Sequence, residues 1–102
     1  MPVRDRNFLS WAKQQGGKCC VCWRLAGERV PGLELHHFAD HGLGQKGSDH
    51  VVARVCRKCH DSVQGKRWIA FMRENQFEIL AALQEDAIEL LSGFMGHLTS
   101  KE

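Results

Sequence analysis

Two Cys-x-x-Cys pairs are the clearest sign of chemistry in this sequence. The first pair is Cys19 and Cys22, and the second is Cys56 and Cys59. A two-residue gap lets both thiolates of a turn reach one ion, and Zn²⁺ favours four thiolates in a tetrahedron. Such a closed site has no open position for water, so we expect a structural zinc that holds the fold. Cys20 has the wrong gap for this turn, and we expect a packed free thiol there.

Three histidines near these pairs are candidates for a second site, one that does catalysis. His36 and His37 are adjacent in LELHHF, and His60 directly follows the second cysteine pair. Consecutive strand residues point to opposite faces of a sheet, so one ion would not ordinarily bind both neighbours. One imidazole can instead bind a metal while the other accepts a proton from water. The alternative is that all three are polar surface residues.

Length and charge limit the class of protein. The chain has 102 residues, 43% of them apolar, which fits one globular domain over 1–102. Residues 1–75 hold 13 Lys and Arg against 7 Asp and Glu, a net charge of +6. Residues 76–102 hold 1 against 5, a net charge of −4. This asymmetry predicts a basic working part, which suits a phosphate-backbone partner, and an acidic support.

The sequence carries no sign of a membrane or export segment. No apolar run approaches the roughly 18 residues that span a bilayer. The first residues, MPVRDRNFLSW, do not resemble a signal peptide. We therefore expect a cytoplasmic location, and in a reducing cytosol paired cysteines more often bind metal than form disulfides.

The elements that must position these residues follow from apolar periodicity and turn formers. We expect an N-terminal helical part (1–18), a cysteine- and histidine-rich core (19–65) and a helical C-terminal extension (66–102). In chain order the patterns predict a helix over 4–15, a tight turn over 18–23, a connection over 24–32, a strand over 33–38, a loop over 39–50, a strand over 51–55, a metal-binding turn over 56–59, a short helix over 60–64, a helix over 67–75 and a longer helix over 77–98.

The last predicted helix carries a narrow apolar seam. Its members are spaced three, four, three and four residues apart, close to a coiled-coil repeat. They are Leu80, Leu83, Ala87, Leu90 and Phe94. The seam either packs on its own domain or pairs two chains into a homodimer, and the spacing alone leaves both open.

The combined motifs over 19–64 resemble those of the HNH endonucleases, the His-Asn-His group of ββα-metal nucleases. The matching parts are LELHHF, VVARVC and CRKCHD, preceded by the first cysteine pair. The loop GLGQKGSD is similar to the G-x-G-x-K-x-x-D loop of phage and prophage HNH proteins linked to recombination. The segment GKRWIAFMRENQ also resembles the one that follows the nuclease helix in that subgroup. The resemblance is weak before residue 19 and beyond residue 78.

The resemblance implies an α+β fold: a small zinc-bound ββα-metal domain with an N-terminal helix and C-terminal helices. In the family's His-His form the first histidine binds the catalytic metal and the second activates water. His36 is then a ligand, His37 the general base and His60 the ligand on the helix. The family's middle Asn is missing between His37 and Cys56. Asp49 is the best substitute.

Two further positions stay open under the resemblance. His50 is the runner-up for the role of the missing Asn. Some members carry a third protein ligand four residues after the helix histidine, and here that residue is Gln64, an indifferent ligand. The catalytic ion would then be held by two histidines, with water and phosphate oxygens completing its shell. Histidine ligands with open positions admit Mg²⁺, Mn²⁺, Ni²⁺ or Zn²⁺.

The expected function is metal-dependent hydrolysis of DNA, in phage or prophage recombination or DNA processing, with DNA and recombination proteins as partners. Basic residues in or beside the module could bind the flanking phosphates. They are Lys46, Arg54, Arg57, Lys58, Lys66 and Arg67. The alternative is a non-catalytic zinc module that binds nucleic acid or protein, although such a module requires none of the three histidines. A thiol redox protein would need only one cysteine pair and a different fold.

Overall fold

Two short antiparallel strands, preceded by two helices and followed by two more, make up the described fold. The computed structural model describes residues 3–31, 34–38, 48–64 and 68–100, and side chains within them except those of 62–64 and 68–74. The elements are α1 (Arg6–Gln14), α2 (Cys20–Ala26), β1 (Glu34–His37), β2 (Val52–Val55), α3 (Arg57–Gln64) and α4 (Trp68–Ser100). The predicted α+β class is confirmed.

Helix α1 forms where the amphipathic pattern predicted it. Asp5 is its N-cap, and the Asp5 carboxylate accepts a hydrogen bond from the backbone N–H of Phe8 at 3.0 Å. A cap of this kind satisfies a backbone donor that the first helical turn leaves unpaired. Phe8 and Ala12 are buried and pack in one cluster with Val52 of β2 and with α4. This contact fixes the N-terminal end of the chain against the sheet.

The segment around the first cysteine pair differs from the prediction of a tight turn followed by a connection. It is a helix, α2, because both of its ends are well capped. Cys19 is the N-cap, and its Sγ accepts a hydrogen bond from the backbone N–H of Cys22 at 3.4 Å. Gly27 ends the helix at φ 66°, a left-handed conformation that glycine adopts without strain. The pair therefore opens a helix, and the connection begins only after Ala26.

Strands β1 and β2 occupy the predicted segments, trimmed by one or two residues. They pair antiparallel, with Glu34 opposite Val55 and His37 opposite Val52. His36 on β1 is buried, at 7% exposure, whereas its neighbour His37 is only partly covered. The alternation separates the two histidines, as the strand period requires.

Helix α3 begins at Arg57, three residues earlier than predicted, so the second cysteine pair also lies at a helix start. The two predicted C-terminal helices are present as one helical run, α4, that breaks at Asn75 with φ −136° and ψ 26°. The described helices are all too short or too polar to cross a bilayer. Of the predicted loop over 39–50, residues 39–47 lie outside the described residues.

The apolar seam of α4 packs on its own chain. Leu83 and Leu90 are 1% and 2% exposed, and they belong to two core clusters that contact β2. Leu80 departs from the prediction at 39% exposure, and Ile79 takes its place at 0%. A single α-helix repeats every 3.6 residues, so a coiled-coil spacing extended over several turns drifts off the buried face. The homodimer stays an expectation, and this buried face is already used inside one chain.

Candidate metal centres and active site

The two cysteine pairs come together as one cluster. Within the described residues, the Sγ atoms of Cys19, Cys22, Cys56 and Cys59 all lie within 4.8 Å of one another. Cys22 Sγ is 3.8 Å from Cys56 Sγ and 3.6 Å from Cys59 Sγ. Thiolates that share a tetrahedral Zn²⁺, each bonded at about 2.3 Å, lie about 3.8 Å apart. The cluster therefore fits a four-thiolate zinc site of the predicted composition.

The fifth cysteine behaves differently. Cys20 packs in the core with Val21 and Leu83, at 8% exposure, and takes no part in the cluster. Burial, followed by the negative charge of Asp86, raises the pKa of the Cys20 thiol to about 12. Cys20 is therefore a packed thiol outside the cluster, as its spacing predicted.

A second group of candidate ligands lies between β1 and α3. The rings of His36 and His60 meet edge to face, with centroids 5.3 Å apart and an interplanar angle of 67°. His36 Nδ1 and His60 Nε2 are buried, and neither has a hydrogen-bond partner among the described residues. Buried polar atoms without a partner are uncommon and require an explanation, such as a bound ion. Two imidazoles on one ion, with bonds of about 2.0–2.1 Å, place their centroids about 4.5–5.5 Å apart.

The two rings have different surroundings. His60 Nδ1 lies 2.6 Å from Glu34 Oε1 and donates to that carboxylate, so Nε2 is the nitrogen that faces away from it. A carboxylate in this position is a common second partner of metal-binding histidines. Burial, followed by the charges of His60 and His37, lowers the pKa of His36 to about 4, so His36 is neutral near pH 7.

His37 has a different partner. Its Nε2 lies 3.0 Å from Oδ1 of Asp49, a carboxylate that is 4% exposed. Because an ionised carboxylate only accepts hydrogen bonds, Nε2 of His37 is the protonated nitrogen. Nδ1 is then the nitrogen that can accept a proton, as a general base must. The side chain of His37 is 17% exposed, which leaves it accessible to water.

The environment of Asp49 keeps that carboxylate ionised. Burial raises its pKa, but hydrogen bonds from the Asp5 backbone and from His37 outweigh this effect, and the pKa lies below its ordinary value. The Asp5 N–H donates to Asp49 Oδ2 at 2.7 Å. His50, the runner-up for the same role, instead contacts Asp5 Oδ2 at 2.8 Å and the ring of Phe8. Asp49 is thus the residue that contacts His37.

Three residues that contact the candidate site residues were not predicted from the sequence to belong to it. Glu34 contacts His60, and Arg4 and Asp5 contact Asp49. Glu34 precedes His36 by two residues and so shares its strand face, a period that could have identified it. Asp5 stands before an apolar-periodic helix, the usual place of an N-cap. Its backbone contact with Asp49 has no signal in the sequence, because it joins segments 44 residues apart.

The predicted phosphate-binding residues fall into three groups. Arg54 faces inward: its guanidinium donates to Asp86 Oδ1 at 2.6 Å and to the Gly16 carbonyl at 3.2 Å, so we leave it out of the proposed DNA contacts. Arg57 is 82% exposed at its side chain and lies 3.7 Å from Glu34. Lys58 is exposed on the same helix. Predictions for Lys46, Lys66, Arg67 and the side chain of Gln64 lie outside the described residues.

The geometry combines a four-cysteine cluster, two imidazoles whose buried nitrogens have no partner within the described part of the chain, and a histidine in contact with a carboxylate. Comparison with known protein families, with characterised proteins and with solved structures finds no match to this chain.

Proposed function

We propose that this protein is a metal-dependent endonuclease of the HNH type that hydrolyses phosphodiester bonds in DNA. One observation carries the proposal: His36 and His60 each have a buried imidazole nitrogen without a partner among the residues that the structure describes, and they lie beside a histidine whose ring contacts a carboxylate. A structural zinc module needs neither feature. In this proposal β1, β2 and α3 form the ββα-metal unit, and the cysteine cluster holds the structural zinc.

The roles of the histidines follow from their surroundings. His37 Nδ1 takes the proton of the attacking water, while Asp49 keeps Nε2 protonated and supports the positive charge that develops on the ring. His36 and His60 would hold the divalent cation, which when bound would supply charge neutralisation during phosphodiester cleavage. Glu34 fixes the orientation of the His60 ring through Nδ1.

Binding of DNA is assigned to basic residues around this unit. Arg57 and Lys58 are exposed on α3, between the two cysteines of the second pair. Lys46, Lys66 and Arg67 are added from the sequence. Contacts of this type go to phosphates, so binding should be salt-sensitive and largely independent of sequence. Action in phage or prophage recombination, with recombination proteins as partners, remains part of the proposal through the resemblance of the motifs.

Incubation with DNA tests the proposal. Purified protein is mixed with supercoiled plasmid and with short branched DNA in the presence of Mg²⁺, Mn²⁺, Ni²⁺ or Zn²⁺. We expect nicking or cutting that depends on the metal and stops when EDTA is added together with the DNA. DNA binding without cleavage under any of these metals would support the non-catalytic zinc module instead.

A further inference from the structure

The segment of residues 3–5, which we call the N-terminal strap, runs alongside the turn that precedes β2. The Val3 N–H donates to Ser48 Oγ at 3.0 Å, and the Asp49 N–H donates back to the Val3 carbonyl at 2.9 Å. These two bonds join segments separated by about half of the chain. They place the strap directly over the Asp49 carboxylate.

Three hydrogen-bond donors converge on the two oxygens of Asp49. The Asp5 N–H reaches Oδ2 at 2.7 Å. His37 Nε2 and Arg4 Nη1 both donate to Oδ1, at 3.0 Å and 3.3 Å. A carboxylate can accept all three because both oxygens are acceptors, whereas a carboxamide has only one oxygen and places donors on the other atom.

The strap is itself held in place at its far end. The Asp5 side chain caps α1 through the Phe8 N–H at 3.0 Å and contacts His50 Nε2 at 2.8 Å. The Phe8 side chain is 0% exposed within the core. A continuous path therefore runs from the packed helix α1 through the strap to Asp49, and from Asp49 to His37.

We propose that the N-terminal strap sets the tautomer of His37: Arg4 and Asp5 are positioning residues that require a carboxylate at position 49, and this carboxylate keeps the proton on Nε2. The proposal deepens the nuclease function and rests on it for the catalytic role of His37. It also gives a physical reason for an Asp, in place of the Asn of the family name, at the end of the G-x-G-x-K-x-x-D loop. With the strap donors in place, the single oxygen of an Asn side chain could not serve both Asp5 and His37.

The variant Asp49→Asn tests whether one side chain must accept hydrogen bonds from both Asp5 and His37. If the amide oxygen stays on the Asp5 N–H, the amide nitrogen faces His37 and donates to Nε2. The imidazole must then carry its proton on Nδ1, the nitrogen that acts as the base. We expect a folded, zinc-loaded protein whose kcat falls by ~10²–10⁴, the range of a positioned general base, with KM changed less than threefold, roughly.

Nitrogen-15 NMR of the histidine side chains reads the tautomer without any cleavage assay. We expect His37 to show a protonated Nε2 in the wild type and a protonated Nδ1 in Asp49→Asn. An unchanged tautomer in this folded variant would overturn the proposal. Since this measurement needs no DNA, the strap and the nuclease function can fail separately: a protein that cuts nothing still reports the state of His37.

Arg4 is tested against Arg6, a charge-matched control two residues along the chain. Arg4→Ala removes a donor to Asp49, whereas Arg6→Ala removes the same charge from an exposed site on α1. We expect kcat to fall about tenfold in Arg4→Ala with little change in KM, a partial return in Arg4→Lys, and a normal kcat in Arg6→Ala. Equal losses in the two alanine variants would reduce Arg4 to a general electrostatic contribution and overturn its positioning role.

Discussion

His37 Nε2 and Asp49 Oδ1 lie 3.0 Å apart, although the two residues are separated by twelve positions in the sequence. The contact joins the end of β1 to the turn before β2. It leaves Nδ1 of His37 as the nitrogen that could accept a proton. The adjacent His36 has a buried Nδ1 with no hydrogen-bond partner among the described residues. A candidate base and a candidate metal ligand thus come from adjacent positions of one strand, on its opposite faces.

The cysteine cluster predicts that zinc and folding are coupled. Cys22→Ser or Cys59→Ser should remove the ion and leave the domain unfolded or loosened, because structural zinc sites contribute about 10–16 kcal/mol in zinc-finger peptides. That exceeds most of the ~5–15 kcal/mol by which whole domains are stable. Atomic absorption and thermal unfolding provide the measurements. Cys20→Ala, at a buried position outside the cluster, should keep its zinc; a stable fold in zinc-free Cys22→Ser protein would contradict the coupling.

The histidine pair predicts a second, exchangeable metal. His60→Ala should abolish its binding, and Glu34→Gln should weaken it by ~10–100-fold, the usual effect of losing a partner of a metal-bound histidine. Titration calorimetry with Mn²⁺ on zinc-loaded protein measures both. Glu78→Gln is a matched control, because Glu78 pairs with Arg24 rather than with a histidine. Equal Mn²⁺ affinity in wild type and His60→Ala would remove His60 from the ligand set.

The contacts of Asp49 predict how its carboxyl responds to pH. Because its pKa in the fold lies below the ordinary value, its stabilising contribution is present above about pH 4 and is lost as the pH falls through the lowered pKa. Carbon-13 NMR of the side-chain carboxyl follows the titration. We expect a midpoint below the ordinary value of an aspartate side chain. A midpoint above that ordinary value would mean that burial outweighs the donated hydrogen bonds.

The ion pair of Arg54 and Asp86 predicts a large effect on stability. Both side chains are largely buried, at 13% and 7% exposure, so Asp86→Ala removes the buried charge that pairs with Arg54 and should destabilise the fold by about 3–5 kcal/mol. Glu89 lies 3.3 Å from the same guanidinium but is 70% exposed, and Glu89→Ala should cost at most ~1 kcal/mol. Urea unfolding measures the two variants. Equal losses of unfolding free energy in the two variants would show that the buried ion pair stabilises the fold no more than the exposed one.

Most of the elements could be predicted from the sequence because local signals specify them. The strands carry β-branched residues, α1 has an apolar face, and each cysteine pair has the spacing of a metal turn. The exception is α2, because the cysteine spacing indicated a turn where the chain forms a helix. Its N-cap is a cysteine sulfur, and Cys is not among the residues that normally mark a helix start.

The candidate site was only partly predictable, for a physical reason. Spacing and resemblance named the three histidines and Asp49, but the Asp5 N–H that holds Asp49 is a backbone donor, present at nearly every position of any sequence. Arg54 was predicted to contact phosphate, but its actual partner could not be predicted from the sequence. A basic residue on a strand next to the site suggested a phosphate contact, yet its partner Asp86 lies 32 positions away on α4.

The most direct measurement is the rate of DNA cleavage by His37→Ala at saturating metal and DNA. His97→Ala is the matched control. His97 lies near the C-terminal end of α4, where its ring packs against Phe94 of the same helix and Trp11 of α1. We predict that wild type and His97→Ala cleave at similar rates, and that His37→Ala cleaves ~10²–10⁴-fold more slowly with unchanged zinc content, DNA affinity and melting temperature. Full cleavage activity in His37→Ala would contradict the account.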